Sequence, residues 1–416
     1  MASDEELGLD PEGESIYLFR RPAGITPIIH VQTIAMKHLH QIAFTAWLAM
    51  VGPAEAIDVT VERLGPGVMQ PQAITDAAGD VHLVWLRGDP KSCDVFYEKR
   101  PGGRTNGVAA MRVNSQPGSA IAIGTIRGAN LALGRNGRVH VVWNGSSTAA
   151  PKPAVGEPLL YSRMNSRGDS FEPQRNLSGM TAHLDGGGSI AADGAGNVFA
   201  IWHASPGADT EGEGNRRVFL ARSKDDGATF ATERSISPPN GACGCCGLRA
   251  STDPAGNVMV LYRSSPALAQ RDMTLIVSQD HGDSFKPVLS DAWPVGLCPM
   301  SSSAFAASAN GTFAAWESKG QVFGSFAPRN SWAFNPATAL APLRGSKHPA
   351  LAVNRRGEAL VAWADGTGWQ KGGSVSWRTV DAAGRPVGEA TTVAGLPVWS
   401  YPVVFAKPDG GFVVAY

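Results

Sequence analysis

Seven times along the chain an apolar run enters a turn rich in Asp, Asn and Gly, then leaves it as an alternating strand that ends in Trp or Tyr. The copies occupy residues 73–85, 131–143, 190–202, 250–262, 305–316, 351–363 and 404–416. Their closing aromatics, Trp85, Trp143, Trp202, Tyr262, Trp316, Trp363 and Tyr416, recur every 47 to 60 residues. Self-similarity at that period marks one supersecondary unit used repeatedly. Each copy reads as a β-hairpin: Asn136-Gly137, Gly196-Asn197, Gly256-Asn257 and Asn310-Gly311 supply the positive φ that tight turns need. First strands are built of small residues (Ile190-Ala191-Ala192, Ala304-Phe305-Ala306-Ala307), so neighbouring copies can crowd around an axis. Second strands alternate, as in Val139-His140-Val141-Val142-Trp143, and can bury both faces. Third strands are expected at 95–98, 159–162, 218–221, 274–277 and 374–377. Four strands per period predict an all-β fold, a β-propeller of about seven blades, with six as the alternative. The chain ends on the second strand of the seventh copy, so an N-terminal strand at 58–61 is expected to close that last blade.

Ahead of the repeats, Met36-Lys37-His38 leads into a ten-residue apolar run, 42–51, then Gly52-Pro53 and Ala54-Glu55-Ala56. A basic start, a short apolar core and small residues at −3 and −1 predict a secretory signal peptide over 36–56, cleaved after Ala56. A buried strand or helix is the alternative. The run is too short to span a bilayer as a helix. An export signal does not begin 35 residues into a protein, so Met36 is the expected start and 1–35 a misassigned or disordered leader. Residues 57–416 then form a single secreted or periplasmic domain.

Composition narrows the partners. Gly (49) and Pro (29) together approach a fifth of the 416 residues, charged residues make up 17 %, and the formal net charge is zero. Without a Lys/Arg run there is no electrostatic footprint for nucleic acid or acidic lipid. A carbohydrate or small acidic ligand fits better, with a protein partner as the other candidate.

Two segments then stand out after third strands, Ser223-Lys224-Asp225-Asp226-Gly227-Ala228-Thr229-Phe230 and Ser278-Gln279-Asp280-His281-Gly282-Asp283-Ser284-Phe285. Both match the Asp box, S-x-D-x-G-x-[ST]-[FW], and residues 164–171 (MNSRGDSF) form a degenerate third copy. On these motifs, 57–416 resembles the sialidase-like, Asp-box propeller superfamily. The resemblance implies a structural role for Ser223, Asp225, Gly227 and Phe230, and for Ser278, Asp280, Gly282 and Phe285, on the face opposite the pocket. It also implies exo-α-sialidase-type hydrolysis, with three arginines on the substrate carboxylate, a Tyr nucleophile assisted by Glu, and an Asp acid/base. The early Arg-Ile-Pro signature is absent after residue 56, and Arg20-Arg21-Pro22 precedes the export signal.

In a propeller, loops entering first strands and loops leaving second strands share one face around the axis. Incoming loops place Arg127, His183, Asp185, Arg249, His348, Trp399 and Tyr401 there, and second-strand exits add Arg87, His203, Arg263, Glu317 and Asp365. Arg127, Arg249, Arg263, Tyr401, Glu317 and Asp365 are the candidates for clamp, nucleophile and acid at an anomeric carbon. Arg87, His183, Asp185, His203, His348 and Trp399 are candidates for binding substrate.

Cys243-Gly244-Cys245-Cys246 and Cys298 enter the fourth and fifth copies side by side. In an exported chain disulfides are the first reading, and adjacent Cys245 and Cys246 are poorly placed to bond each other, so one is expected to pair with Cys298. A soft-metal site for Cu(I) or Zn, with Met300 and His348 nearby, is the rival. No other cofactor is expected, and Cys93 stands apart as an unpaired or buried thiol. Three function classes follow: a glycoside hydrolase acting on acidic sugars, a non-catalytic binding propeller, and a periplasmic metal-handling protein.

Overall fold

A computed structural model of the chain describes residues 57–103, 109–124, 126–210, 212–342 and 345–416. The leader 1–35, the export signal 36–56 and Arg20-Arg21-Pro22 lie outside the described residues. The described residues belong to one compact unit.

After β1 (Val59–Glu62), six four-stranded antiparallel sheets follow one another along the chain. They comprise β2 (Met69–Thr75) to β5 (Met111–Arg112), β6 (Asn130–Leu133) to β9 (Arg175–Asn176), and β10 (Ser189–Ala192) to β13 (Arg234–Ser235). The next three are β14 (Arg249–Thr252) to β17 (Lys286–Asp291), β18 (Ser303–Ala307) to β21 (Thr338–Ala339), and β22 (Ser346–Val353) to β25 (Pro386–Leu396). A seventh sheet holds β26 (Val403–Ala406) and β27 (Phe412–Ala415), and β1 joins it parallel to β27, with Val59 opposite Phe412 and Glu62 opposite Ala415. The fold is therefore a seven-bladed β-propeller, not a six-bladed one, and the N-terminal strand closes the ring as expected. Among the described residues the last blade has three strands. The fifth blade also has a third strand, β20 (Gln321–Pro328), that the repeat pattern did not mark.

Second strands are buried on both faces because each belongs to two cores. In β7 (Val139–Asn144), Val141 and Trp143 pack toward blade 1, while Val142 packs toward blade 3. Seven apolar clusters result, one at each blade junction, and the last joins Leu83 and Trp85 of blade 1 to Phe405 and Val413 of blade 7. All seven closing aromatics turn toward the preceding blade, so the sequence repeat is the record of seven equivalent interblade contacts. Five of them, Trp143, Trp202, Tyr262, Trp316 and Trp363, are among the largest fully buried side chains.

The Asp boxes are hydrogen-bonded turns. Ser223 Oγ accepts the Gly227 N–H at 2.8 Å, and Asp225 accepts the Thr229 N–H at 2.9 Å and hydroxyl at 2.7 Å. Ser278 and Asp280 repeat the pattern with Gly282 and Ser284. Gly227 has φ +77°, and a Cβ there would collide with the Tyr161 hydroxyl of the previous blade. Phe230 meets Tyr161 edge-on at 4.9 Å. In the degenerate copy Asn165 substitutes, its Oδ1 accepting the N–H of Arg167 and Gly168.

Candidate functional site

First strands line a central cavity of about 360 Å³. Its wall is mostly Ala, Ile, Leu and Val, as close packing around an axis requires, with Gln72, Thr75, Ser251, Thr252 and Ser302 adding polar groups. Arg249 and Tyr401 stand at the end where first strands begin.

Three blades hold the head of this cavity together. From blade 4, the Arg249 guanidinium donates through Nη1 to Asn130 Oδ1 of blade 2, and through Nε to the Ser303 carbonyl of blade 5 at 3.2 Å. Asn130 Nδ2 in turn donates to Gly128 O at 3.0 Å and Gly188 O at 2.9 Å. No described carboxylate pairs with Arg249. Burial lowers its pKa, yet a guanidinium stays charged, so an uncompensated cation faces the cavity. Tyr401 stacks on His348, ring centres 5.7 Å apart. Burial raises the Tyr401 hydroxyl to about 12 and pushes the His348 imidazole down to about 3, so both are neutral near pH 7.

The bend that delivers these residues is local. Ladder register slips between Lys347 and Ala350 in β22, and His348 takes φ +54° there. An equivalent slip between Met69 and Gln72 leaves Gln70 at φ +50°, with its Nε2 donating to Ala122 O. These bulges turn the Gln70 side chain onto Ala122 O and set His348 against Tyr401, behind the cavity wall.

Other sequence candidates go elsewhere. Arg127 is tied to Asp185 through its guanidinium and to Ile123 O at 2.7 Å. Arg263 donates to Arg271 O at 3.0 Å and Glu317 O at 2.7 Å, while burial raises the Glu317 pKa. Asp365 accepts from Ser346, Ser376 and Trp363 within blade 6. His203 donates from Nε2 to Cys246 O at 2.7 Å, and burial lowers its pKa to about 4. His183 reaches Ala208 O at 2.9 Å, and exposed Arg87 lies over Phe96 at 5.8 Å. Trp399 meets Trp369 edge-on at 5.1 Å in a small cleft with Met300, Lys347 and His348. Thus Arg249 and Tyr401 line the central cavity with His348 stacked behind, while Arg127, Arg263, Glu317 and Asp365 do not line it.

Asn130, Asn144 and the Gly186–Gly187–Gly188 run escaped the sequence reading. Asn144 Nδ2 donates to Asp185 O at 3.1 Å and Gly186 O at 2.9 Å. A Cβ at Gly187 would run into the Ile126 carbonyl, so incoming loops of blades 2 and 3 meet backbone to backbone. Three consecutive glycines before a first strand were the available signal.

At the rim, Cys245 and Cys298 form a disulfide, the pairing expected of one of the two adjacent cysteines. Cys243, Cys246 and Cys93 are free and buried. Cys243 Sγ lies 3.3 Å from Cys245 Sγ and 3.5 Å from Cys246 Sγ.

No protein-family model matches the chain, and no curated protein matches it. Solved structures do. A Dyadobacter fermentans protein of unknown function superposes with a TM-score of 0.50 at 13 % identity, over 82 % of this chain and 99 % of that one. The NanB sialidase of Streptococcus pneumoniae gives 0.50 at 7 % identity over 80 % of each chain. A Penicillium chrysogenum α-L-arabinanase complexed with arabinobiose gives 0.50 at 12 % identity, over 79 % of this chain and 99 % of its own. The chain shares a β-propeller fold with this sialidase and this arabinanase. At these identities the likeness is one of fold.

Proposed function

We propose that the propeller takes an acidic sugar into its central cavity and hydrolyses it as an exported exo-glycosidase of sialidase type. One observation carries the reading: a desolvated arginine, Arg249, without a carboxylate partner among the described residues, fronts a cavity of about 360 Å³. A carboxylate ligand supplies the missing counter-charge, and guanidinium geometry suits it. Tyr401 beside it is the one nucleophile of the type such hydrolysis uses among the cavity-lining residues. The likeness in fold to a sialidase and an arabinanase supports a sugar as the ligand class.

A second reading, binding without turnover, rests on a separate observation. No Asp or Glu is among the residues lining the cavity, whereas cleavage at an anomeric carbon draws on an acid and a base. The test is calorimetric titration with free sialic acid, beside a fluorogenic sialoside assay, on wild type and Arg249→Met. Turnover lost in the variant supports hydrolysis. Binding without turnover selects the second reading, and wild type that neither binds nor cleaves acidic sugars overturns both.

A further inference from the structure

The rim between blades 3, 4 and 5 carries donor atoms that neither reading uses. Glu213, on the loop between β11 (Val198–Ala204) and β12 (Arg217–Ser223), meets Cys243 and Cys245 of the blade 4 loop and Cys298 of the blade 5 loop. Their three sulfurs and one carboxylate oxygen lie within 4.8 Å of one another. Residues up to 85 positions apart, on three blades, therefore aim ligand-type atoms at one point. We propose that this cluster, with its disulfide reduced, is a binding site for one thiophilic cation of the Zn²⁺ or Cu⁺ class.

The geometry suits such an ion. Zinc–sulfur bonds of about 2.3 Å in a tetrahedron put sulfurs about 3.8 Å apart. Cys243 Sγ already lies 3.3 Å from Cys245 Sγ, so small side-chain movements open the required space. Three thiolates select soft or borderline ions over Mg²⁺ or Ca²⁺. The Glu213 carboxylate is held from two sides, Oε1 accepting the Gly244 N–H at 3.1 Å and Oε2 pairing with Arg271 Nη2 at 2.5 Å. Partners of this kind orient a ligand and offset the charge of an anionic donor set. Cys246, whose sulfur lies behind Cys243 at 3.5 Å, remains a neighbouring thiol outside the donor set. Cys298 is exposed, giving the ion and a reductant a way in.

Loading requires the Cys245–Cys298 bond to open. An external dithiol supplies two electrons and two protons, becoming a disulfide itself and leaving two cysteine thiols. Metal binding then releases the thiol protons of Cys243, Cys245 and Cys298 to solvent. Oxidation by a disulfide reverses the first step and expels the ion. The cluster is thus occupied in its reduced form and empty in its oxidised form.

The test loads the full chain with Zn²⁺ or with Cu⁺ under argon, after dithiol reduction or without it, then desalts and measures bound metal. One equivalent on the reduced chain and none on the oxidised chain is the expected result. Co²⁺ substitution should add a thiolate-to-metal charge-transfer band. Cys298→Ser, at an exposed position, should weaken binding more than tenfold, and Glu213→Gln by about tenfold. Cys93→Ser, remote in blade 1, should bind as wild type does. A folded, reduced chain that retains neither ion, or a Cys298→Ser chain that binds as tightly as wild type, overturns the assignment.

Discussion

The guanidinium of Arg249 reaches the side-chain oxygen of Asn130, a residue 119 positions earlier in the chain and two blades away. Neither residue means much in its own blade. Together they cap the cavity and fix the direction in which an uncompensated positive charge points. A charge held by neutral donors and acceptors costs desolvation energy that no described anion offsets, which is why a ligand carboxylate is the natural complement.

Arg249→Met is accordingly expected to keep the fold while losing the ligand. Removing one partner of a buried, hydrogen-bonded charge pair costs about 2–5 kcal/mol of binding, a loss of at least thirtyfold. Calorimetry with an acidic sugar gives the affinity, and circular dichroism checks that the variant remains folded. Equal affinity in the two proteins would remove Arg249 from the site.

Acid should destabilise the ring before carboxylates titrate. His348 and His203 have folded pKa values pushed by burial to about 3 and about 4. Groups facing His348 include Tyr401 across its ring and Lys347 beside it, whose charge lowers it further. At pH 7 both folded and unfolded forms hold mostly neutral imidazole. As pH falls below about 6.5, the unfolded chain takes up protons that the folded chain refuses, and stability drops until the folded values are reached. Each histidine should contribute a loss of about 2 kcal/mol between pH 7 and 5. Denaturant titrations at the two pH values measure it, and His348→Gln should reduce the difference by one histidine's share.

The Asp boxes respond at lower pH. Hydrogen bonds from the Thr229 backbone and hydroxyl hold Asp225 down to about 2, and those from Ser278 and Ser284 hold Asp280 well below the ordinary range. Their stabilisation is complete above the usual carboxylate pKa and is lost as pH falls through the depressed values. Ser278→Ala strips the buried Gly282 N–H of its acceptor and should cost about 1–2 kcal/mol at pH 7, read from urea midpoints.

Closing aromatics should dominate stability. Trp316, fully buried between blades 4 and 5, should cost about 3–5 kcal/mol as Trp316→Ala. Trp369, 60 % exposed in the cleft beside Trp399, should change stability by no more than about 0.5 kcal/mol as Trp369→Ala. Similar losses for the two would break the link between the repeat and the blade junctions.

The repeat was legible because every blade solves the same local problem with the same residues. A strand buried on both faces must alternate between two neighbours, its turn needs a glycine at positive φ, and its final aromatic must fill the gap to the preceding blade. Those demands act over a dozen residues, so a propeller of about seven blades and the Asp-box turns could be read from the chain, with the closing role of β1 as an expectation. The ring itself decided seven blades over six. The site could not be read in the same way. Arg249 and Arg263 both stand at blade 4 loops, yet one fronts the cavity and the other is tied to the carbonyls of Arg271 and Glu317. Bulges at Gln70 and His348, the Gly186–Gly188 run and the pairing of Cys245 with Cys298 depend on loops from different blades meeting at one place. Local sequence sets strand and turn because their energies are local. Which side chain faces the axis is decided by contacts between residues far apart in the chain, brought together by the closed ring, and only the tertiary structure contains them.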